Sequence, residues 1–307
     1  MEQSLPSTPS STAIEHSRPQ WPNAEKQHKK QRRKDRLIRG IVIGSAVLVI
    51  GTLVLILGYI LIQGLPHLSW DLFTTPYKPG LKQYGIQSMI VSTLMLIGLT
   101  LVIATPIGIL SAIYLNEYAK KGKVLEVIRF ATESLAGIPS ILFGLFGYAL
   151  FVLGFGFKYS ILSGSLTLAI MVLPVIIRTT EQALQAVPMS YREGSLALGA
   201  GKLYTIWHVV LPNAIAGILT SVILSVGRII GETAAVIYTM GAVTEMPTGF
   251  LSAGRSLSVH LYFLAKEGVS FDSAFAVAVV LLVLVLFLNT LASFVAKRIG
   301  RKGKGEA

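Results

Sequence analysis

Apolar residues in this chain do not alternate with polar ones. They run on for twenty or more positions, stop at short polar stretches, and resume. A helix needs about 20 such residues to cross the roughly 30 Å hydrocarbon core of a bilayer. Six stretches reach that length, near residues 40–64, 88–116, 127–154, 159–180, 212–243 and 272–296. They are apolar all round rather than alternating segments of about ten residues, which excludes a transmembrane barrel. The pattern predicts an all-α polytopic membrane protein with six transmembrane helices. The first stretch, Gly40 to Gly64, carries no charge. It exceeds the apolar core of a secretory signal, about 7–15 residues, and reads as a retained span.

Composition agrees. Of 307 residues, 52% are hydrophobic and only 14% charged, where a soluble domain carries about 25% charged residues. Mean hydropathy is +0.65. A net charge of +12 could suggest nucleic acid, but the 27 Lys and Arg are not gathered on one surface. Twenty-one fall in the tails and in alternate loops between spans, five in the remaining loops, and Arg228 falls inside a span. By the positive-inside rule the crowded side is cytoplasmic, with both termini on it. Residues 1–38 begin rich in Ser, Thr and Pro and end in a basic run from Lys26 to Arg39. They read as a disordered basic tail facing membrane lipid, with no nucleic-acid partner. Residues 299–307 form a second basic tail. The absence of cysteine excludes disulfides, thiolate metal sites and cysteine catalysis. No metal cluster, nucleophile–base pair or cofactor loop stands out, which points away from an enzyme.

Within the spans, Pro106, Pro139 and Pro174 each remove a backbone hydrogen bond and predict kinks. Gly137, Ser140, Gly144 and Gly147 form a small-residue stripe suited to close helix packing. The sharpest feature is Gly227-Arg228-Ile229-Ile230-Gly231-Glu232-Thr233, with Arg228 about midway along the fifth stretch. An unpaired charge at mid-membrane costs at least about 2.5–3.5 kcal/mol. Glu232 follows at i+4, on the same helix face, so the two can pair. Two readings stand: a salt bridge that holds helices together, or a charged lining on a water-filled path. Arginine's planar fork suits oxyanions such as phosphate. Arg178, at the end of the fourth stretch, is a second candidate, with ordinary snorkelling at a helix end as its alternative.

The longest cytoplasmic connection, 181–212, predicts a rigid docking piece. Pro188 should end one helix, and Ser190-Tyr191-Arg192-Glu193 has capping-box spacing for the next. Gly199-Ala200-Gly201 interrupts that helix, and Pro212 suits the first turn of the fifth span. Gly199, Gly201 and Lys202 imitate a phosphate-binding loop. However, Leu196 holds the first glycine position, Leu203 replaces the required Ser or Thr, and no strand precedes. Nucleotide hydrolysis is therefore not expected of this chain.

The loop also carries a resemblance. Glu193-Gly194-Ser195, Gly199 and Val209-Val210-Leu211-Pro212 resemble, at the same spacing, the EAA signature of binding-protein-dependent ABC import permeases. The chain departs from it at Gly194 and Ser195, where alanines are usual, and at Val209, where isoleucine is. Asn116-Glu117-Tyr118-Ala119, Leu135 to Ser140, Phe143 to Gly147, Leu173 to Glu181, Gly227 to Thr233, Ser258 to Leu261 and Ala265 to Gly268 further resemble the PstA branch of phosphate permeases. The resemblance covers about residues 40–298.

It implies a type I ABC importer permease architecture, with residues 39–298 as a six-helix permease domain. It implies ATP-driven import of inorganic phosphate by alternating access, with Arg178, Arg228 and Glu232 along the path. The ATPase would couple through Glu193, Gly194, Ser195, Gly199, Leu211 and Pro212. The implied partners are a second permease (PstC-like), an ATPase dimer (PstB-like) that binds ATP and Mg, and an external phosphate-binding protein (PstS-like). This chain would hold no cofactor and lie in a bacterial cytoplasmic membrane. A permease for phosphonate, sulfate or molybdate is the nearest alternative, and a stand-alone secondary transporter or channel a more distant one. A role in reporting phosphate status is compatible with transport.

Overall fold

The computed structural model describes residues 24–78, 80, 83–120 and 122–303. Arg18, Lys82, Lys121 and Lys304, which entered the charge pattern, and the Ser/Thr/Pro-rich start of the tail lie outside them. The chain divides into two units, residues 1–59 and 60–307.

The first unit holds most of helix α1 (Ala24–Gly64), which includes the first candidate span. The basic run from Lys26 is thus helical, and not part of a disordered tail as expected over 1–38. No proline or glycine interrupts residues 24–39, and Lys, Arg, Gln and Glu extend a helix readily.

The second unit opens with a short helix α2 (Trp70–Thr74) and two antiparallel two-residue strands, β1 (Tyr77–Lys78) and β2 (Gln83–Tyr84). Helix α3 (Gln87–Ile113) follows and continues through a wide π-type turn at Tyr114–Tyr118. Next come α4 (Lys123–Ala136), α5 (Ser140–Gly147, widening to Gly154), α6 (Ile161–Gln185) and α7 (Met189–Ala197). Helix α8 (Lys202–Thr205) passes through a wide turn at Ile206–Val210 into α9 (Leu211–Gly231). The last three are α10 (Ala234–Thr239), α11 (Leu257–Lys266) and α12 (Phe271–Gly303), the last continuing past residue 299, where a tail is expected. Five helical stretches have the length and hydropathy of a span among the described residues, and six if the bent pair α4–α5 counts as one.

Two predicted spans differ from what forms. The apolar run over 127–154 predicts one helix, but α4 and α5 meet at 100°. Pro139 supplies no N–H and pushes Ile138 out of the helical region. Lys123, Glu126, Arg129 and Glu133 also give α4 a polar face that α5 lacks. The span predicted over 212–243 instead starts at Lys202 and ends at Gly231. The wide turn at Ile206–Val210, where the Leu211 N–H reaches back to the Ile206 carbonyl, lets the helix run on through Pro212. Pro106 and Pro174 likewise stay inside continuous helices.

The core forms where α3, α5, α6, α9, α10 and α11 meet, around Leu96, Leu168, Met171, Ile176, Ile229 and Ile230. Their side chains are fully buried, each worth about 1.5–3 kcal/mol when taken from water. Several hydroxyls inside the helices are satisfied locally: Thr93 and Thr100 each donate to the carbonyl four residues back, at 2.7 Å. The expected small-residue stripe packs only in part. A Cβ on Gly144 would lie 2.9 Å from the Ala235 Cα of α10, and one on Gly147 would strike Thr167 of α6, whereas Gly137 meets no neighbouring helix.

Candidate functional site

Helix α9 carries the intramembrane charge. Arg228 stands half-buried in its last turn, so it lies at the far end of this helix and not at its middle. Ideal Cβ atoms on Gly227 and Gly231 would meet nothing within 4 Å, so space is open along this turn of the helix. No ion pair or hydrogen bond joins Arg228 to another described residue.

The expected Arg228–Glu232 pair does not form. The helix ends at Gly231 and Glu232 is extended (ψ 129°), so the i+4 relation between them is lost. Glu232 turns instead to the start of α10, where its Oε1 accepts from the Ala235 N–H at 3.1 Å. A carboxylate is stabilised there by the unsatisfied N–H groups and the helix dipole. The Glu232 carbonyl accepts from Ser258 Oγ of α11 at 2.7 Å, so the break after α9 is held from two sides.

Arg178 lies on α6, two turns before the helix ends. It is ion-paired with Glu133 of α4, and one turn along, Arg129 of α4 pairs with Glu181 of α6. The two reciprocal pairs line one cleft with Thr132, Pro174 and Ile177. Sequence reasoning missed Glu133, Arg129 and Glu181 as a group. The signal was Arg129 and Glu133 at i+4 inside a supposed span, a pairing that marks a polar helix face. Arg178 and Arg228 do not share one site. Thr180 faces Ser221 and Ala183 faces Gly217, so α6 and α9 run antiparallel. At a rise of 1.5 Å per residue the two arginines differ in depth by about 8 Å.

The segment expected to dock the ATPase, α7 to the start of α9, is a tied assembly. Helix α7 starts at Met189 behind Pro188, so Ser190 falls inside the helix and the predicted capping box does not form. Arg192 pairs with Glu117 at 3.0 Å, both side chains about a tenth exposed (12% and 10%), and also donates to the carbonyls of Val187 (2.7 Å) and Leu184 (2.8 Å). Lys202 reaches the Glu117 carbonyl and lies over the Tyr118 ring. Ser195 and Thr205 share a hydrogen bond of 2.9 Å that joins α7 to α8. Gly199 reverses the chain with φ +86°, while a Cβ on Gly194 would meet nothing. Glu193 is exposed without an ion pair among the described residues, and Leu198, at the end of α7, is 91% exposed. Leu211 and Pro212 lie half-buried in the first turn of α9.

At the opposite end, Arg255 donates from Nε to the Ala242 carbonyl (2.9 Å) and faces His260 Nδ1 at 3.4 Å. The Tyr77 ring meets His260 edge-on. Burial and the Arg255 cation push the His260 pKa down to about 3, so its imidazole is neutral. Among the described residues no group of three His, Cys, Asp or Glu is placed to hold a metal ion.

Residues 104–302 match the family described as the binding-protein-dependent transport system inner membrane component. The chain belongs to this family. It is a membrane transport subunit, an ABC importer permease that works with a substrate-binding protein and an ATPase. The permease is 32% identical over 284 residues to the probable ABC transporter permease protein YqgI of Bacillus subtilis, covering 87% of this chain and 97% of that one. It is 38% identical over 239 residues to the phosphate transport system permease protein PstA of Pasteurella multocida, covering 76% and 84%. Among solved structures, a bacterial alginate ABC transporter resembles it with a TM-score of 0.65 at 18% identity, covering 89% of this chain and 98% of that one. The MetNI methionine ABC transporter gives 0.52 at 22% identity, covering 71% and 94%. The type I importer permease fold is thus shared across transporters of different cargo.

Proposed function

We propose that this permease imports inorganic phosphate as the PstA-like subunit of an ATP-driven transporter. The observation that carries the reading is Arg228: a half-buried arginine flanked by two glycines with open space at their Cβ positions, and with no partner among the described residues. A guanidinium held half-buried in the last turn of a spanning helix without compensation is a candidate site, and its fork suits an oxyanion. Likeness to phosphate-transport permeases narrows the anion. Phosphate passes between this chain and a PstC-like sister permease, by Arg228 and then by Arg178. Glu232 serves the path by fixing the backbone turn beneath Arg228, not by neutralising it.

A PstS-like protein delivers the anion from outside, and both termini are cytoplasmic, in keeping with the 21-to-5 distribution of Lys and Arg. A PstB-like ATPase dimer, which binds ATP and Mg, seats on α7 through Glu193, Gly194, Ser195 and Gly199, with Leu211 and Pro212 carrying its motion into α9. Two facts support leaving nucleotide chemistry to the partner. Lys202 is engaged with Glu117 and Tyr118, and α8 follows no strand.

The test is phosphate uptake in cells whose only copy carries Arg228→Gln. Uptake should fall at least about tenfold, as expected for loss of a charge-assisted contact, at unchanged protein level. Normal uptake would remove Arg228 from the path. Because YqgI carries no stated cargo, a second reading is another oxyanion. Displacement of labelled phosphate by sulfate, phosphonate or molybdate at equal concentration would favour it.

A further inference from the structure

We infer that Glu133 is an internal competitor for the transported anion at Arg178: its carboxylate holds the guanidinium, yields it to phosphate, and recovers it when phosphate leaves. The inference rests on the phosphate reading above and adds a residue that sets how tightly the path holds its cargo.

The argument starts from the two ion pairs between α4 and α6, which are alike in chemistry but not in surroundings. Glu181 is 5% exposed and takes a further hydrogen bond from Gln185, so the Arg129–Glu181 pair is anchored in the protein. Arg178 and Glu133 are 48% and 53% exposed, so a solute can reach both. A guanidinium presents the same planar donors to a carboxylate and to a phosphate oxygen, so one can replace the other without rearranging Arg178.

The mounting of α4 favours such an exchange. Leu125 is its one buried side chain, and the helix joins α5 through the bend at Gly137–Pro139, where Gly137 touches no other helix. The half-exposed Glu133 side chain can therefore swing away from Arg178 while Arg129 and Glu181 keep α4 attached to α6. An Arg178 without a competitor would retain the anion and slow its release. Glu133 makes that station exchangeable, whereas Arg228 has no such partner among the described residues.

The experiment measures equilibrium binding of radiolabelled inorganic phosphate to the complete transporter in nanodiscs, without nucleotide or external binding protein. Glu133→Gln should bind phosphate about fivefold more tightly, the size of the exposed ion pair it removes. Glu133→Ala should do the same, Glu133→Asp should stay near wild type, and Arg178→Gln should weaken binding. If Glu133→Gln and Glu133→Ala leave affinity unchanged while Arg178→Gln weakens it, the competitor role is wrong. A lowered thermal midpoint with unchanged affinity, which a purely structural latch would give, overturns it too. If neither Arg178→Gln nor Arg228→Gln changes phosphate binding, the phosphate path itself fails and this inference falls with it.

Discussion

Arg228 and Arg192 are the same side chain under opposite management. Arg192 is almost enclosed, with a carboxylate and two backbone carbonyls taking its donors. Arg228 is half-buried, and no group among the described residues takes any. A guanidinium used as a rivet must have its desolvation repaid locally, because an unpaired buried charge is costly. One used to meet a travelling anion must keep donors free. Arg178 stands between them, paired yet half exposed. Satisfaction of the donors, more than burial or depth, separates the arginine that holds the fold from the one that can serve transport.

The comparison breaks most clearly at Arg192. Arg192→Ala leaves Glu117 nearly buried without its cation and frees the Val187 and Leu184 carbonyls, which should cost about 3–5 kcal/mol. The expected outcome is a large drop in thermal midpoint and loss of the co-purifying ATPase. Arg228→Gln should leave the midpoint within a degree or two of wild type, about 0.5 kcal/mol or less in stability, while uptake collapses. A midpoint that falls equally in both variants would erase the distinction.

Smaller effects probe the turn at Gly199, proposed above to couple to the ATPase. Gly199 needs a left-handed backbone (φ +86°), so Gly199→Ala should cost about 1–2 kcal/mol and loosen α7 against α8. Gly194→Ala, with open space around the new methyl group, should change stability by less than about 0.5 kcal/mol. The pair is read by thermal midpoints and by the ratio of ATP hydrolysed to anion imported. That ratio should rise for Gly199→Ala alone.

What could be read from the chain follows from how local each signal is. Apolar runs were sufficient for α1, α3, α6 and α12, because spanning a bilayer is a property of one segment. The bend before α5 is half legible: Pro139 predicts a kink, but Arg129 and Glu133 fall inside the apolar run over 127–154 that predicts one helix. The end of α9 was not legible. Only Gly231 marks it, and glycine is common inside membrane helices, so the spacing predicts Glu232 one turn onward on a helix that in fact stops at Gly231. The Arg192–Glu117 pair joins residues 75 apart in sequence. Periodicity and spacing carry no information at that range, although both partners lay in motifs already noted.

Arg255 offers the finest test, because its arrangement depends on a group that titrates. Like Arg192 it is tied to a backbone carbonyl, here Ala242, but its second neighbour is an imidazole and not a carboxylate. That contact attracts only while His260 is neutral with Nδ1 free to accept. Burial and the adjacent cation hold the folded-state pKa near 3, against 6.5 for an ordinary histidine. The unfolded chain therefore takes up a proton between those values while the folded chain refuses it. The stability this histidine contributes is complete above about pH 6.5 and is lost progressively as pH falls toward 3. Thermal midpoints of the purified complex from pH 8 to pH 5 should fall faster for wild type than for His260→Gln, which cannot be protonated. The two curves should run parallel above pH 7. Parallel curves down to pH 5 would mean that the imidazole is already charged in the folded protein. Arg255 would then be a guanidinium held against a second cation, closer in kind to the unsatisfied Arg228 than to Arg192.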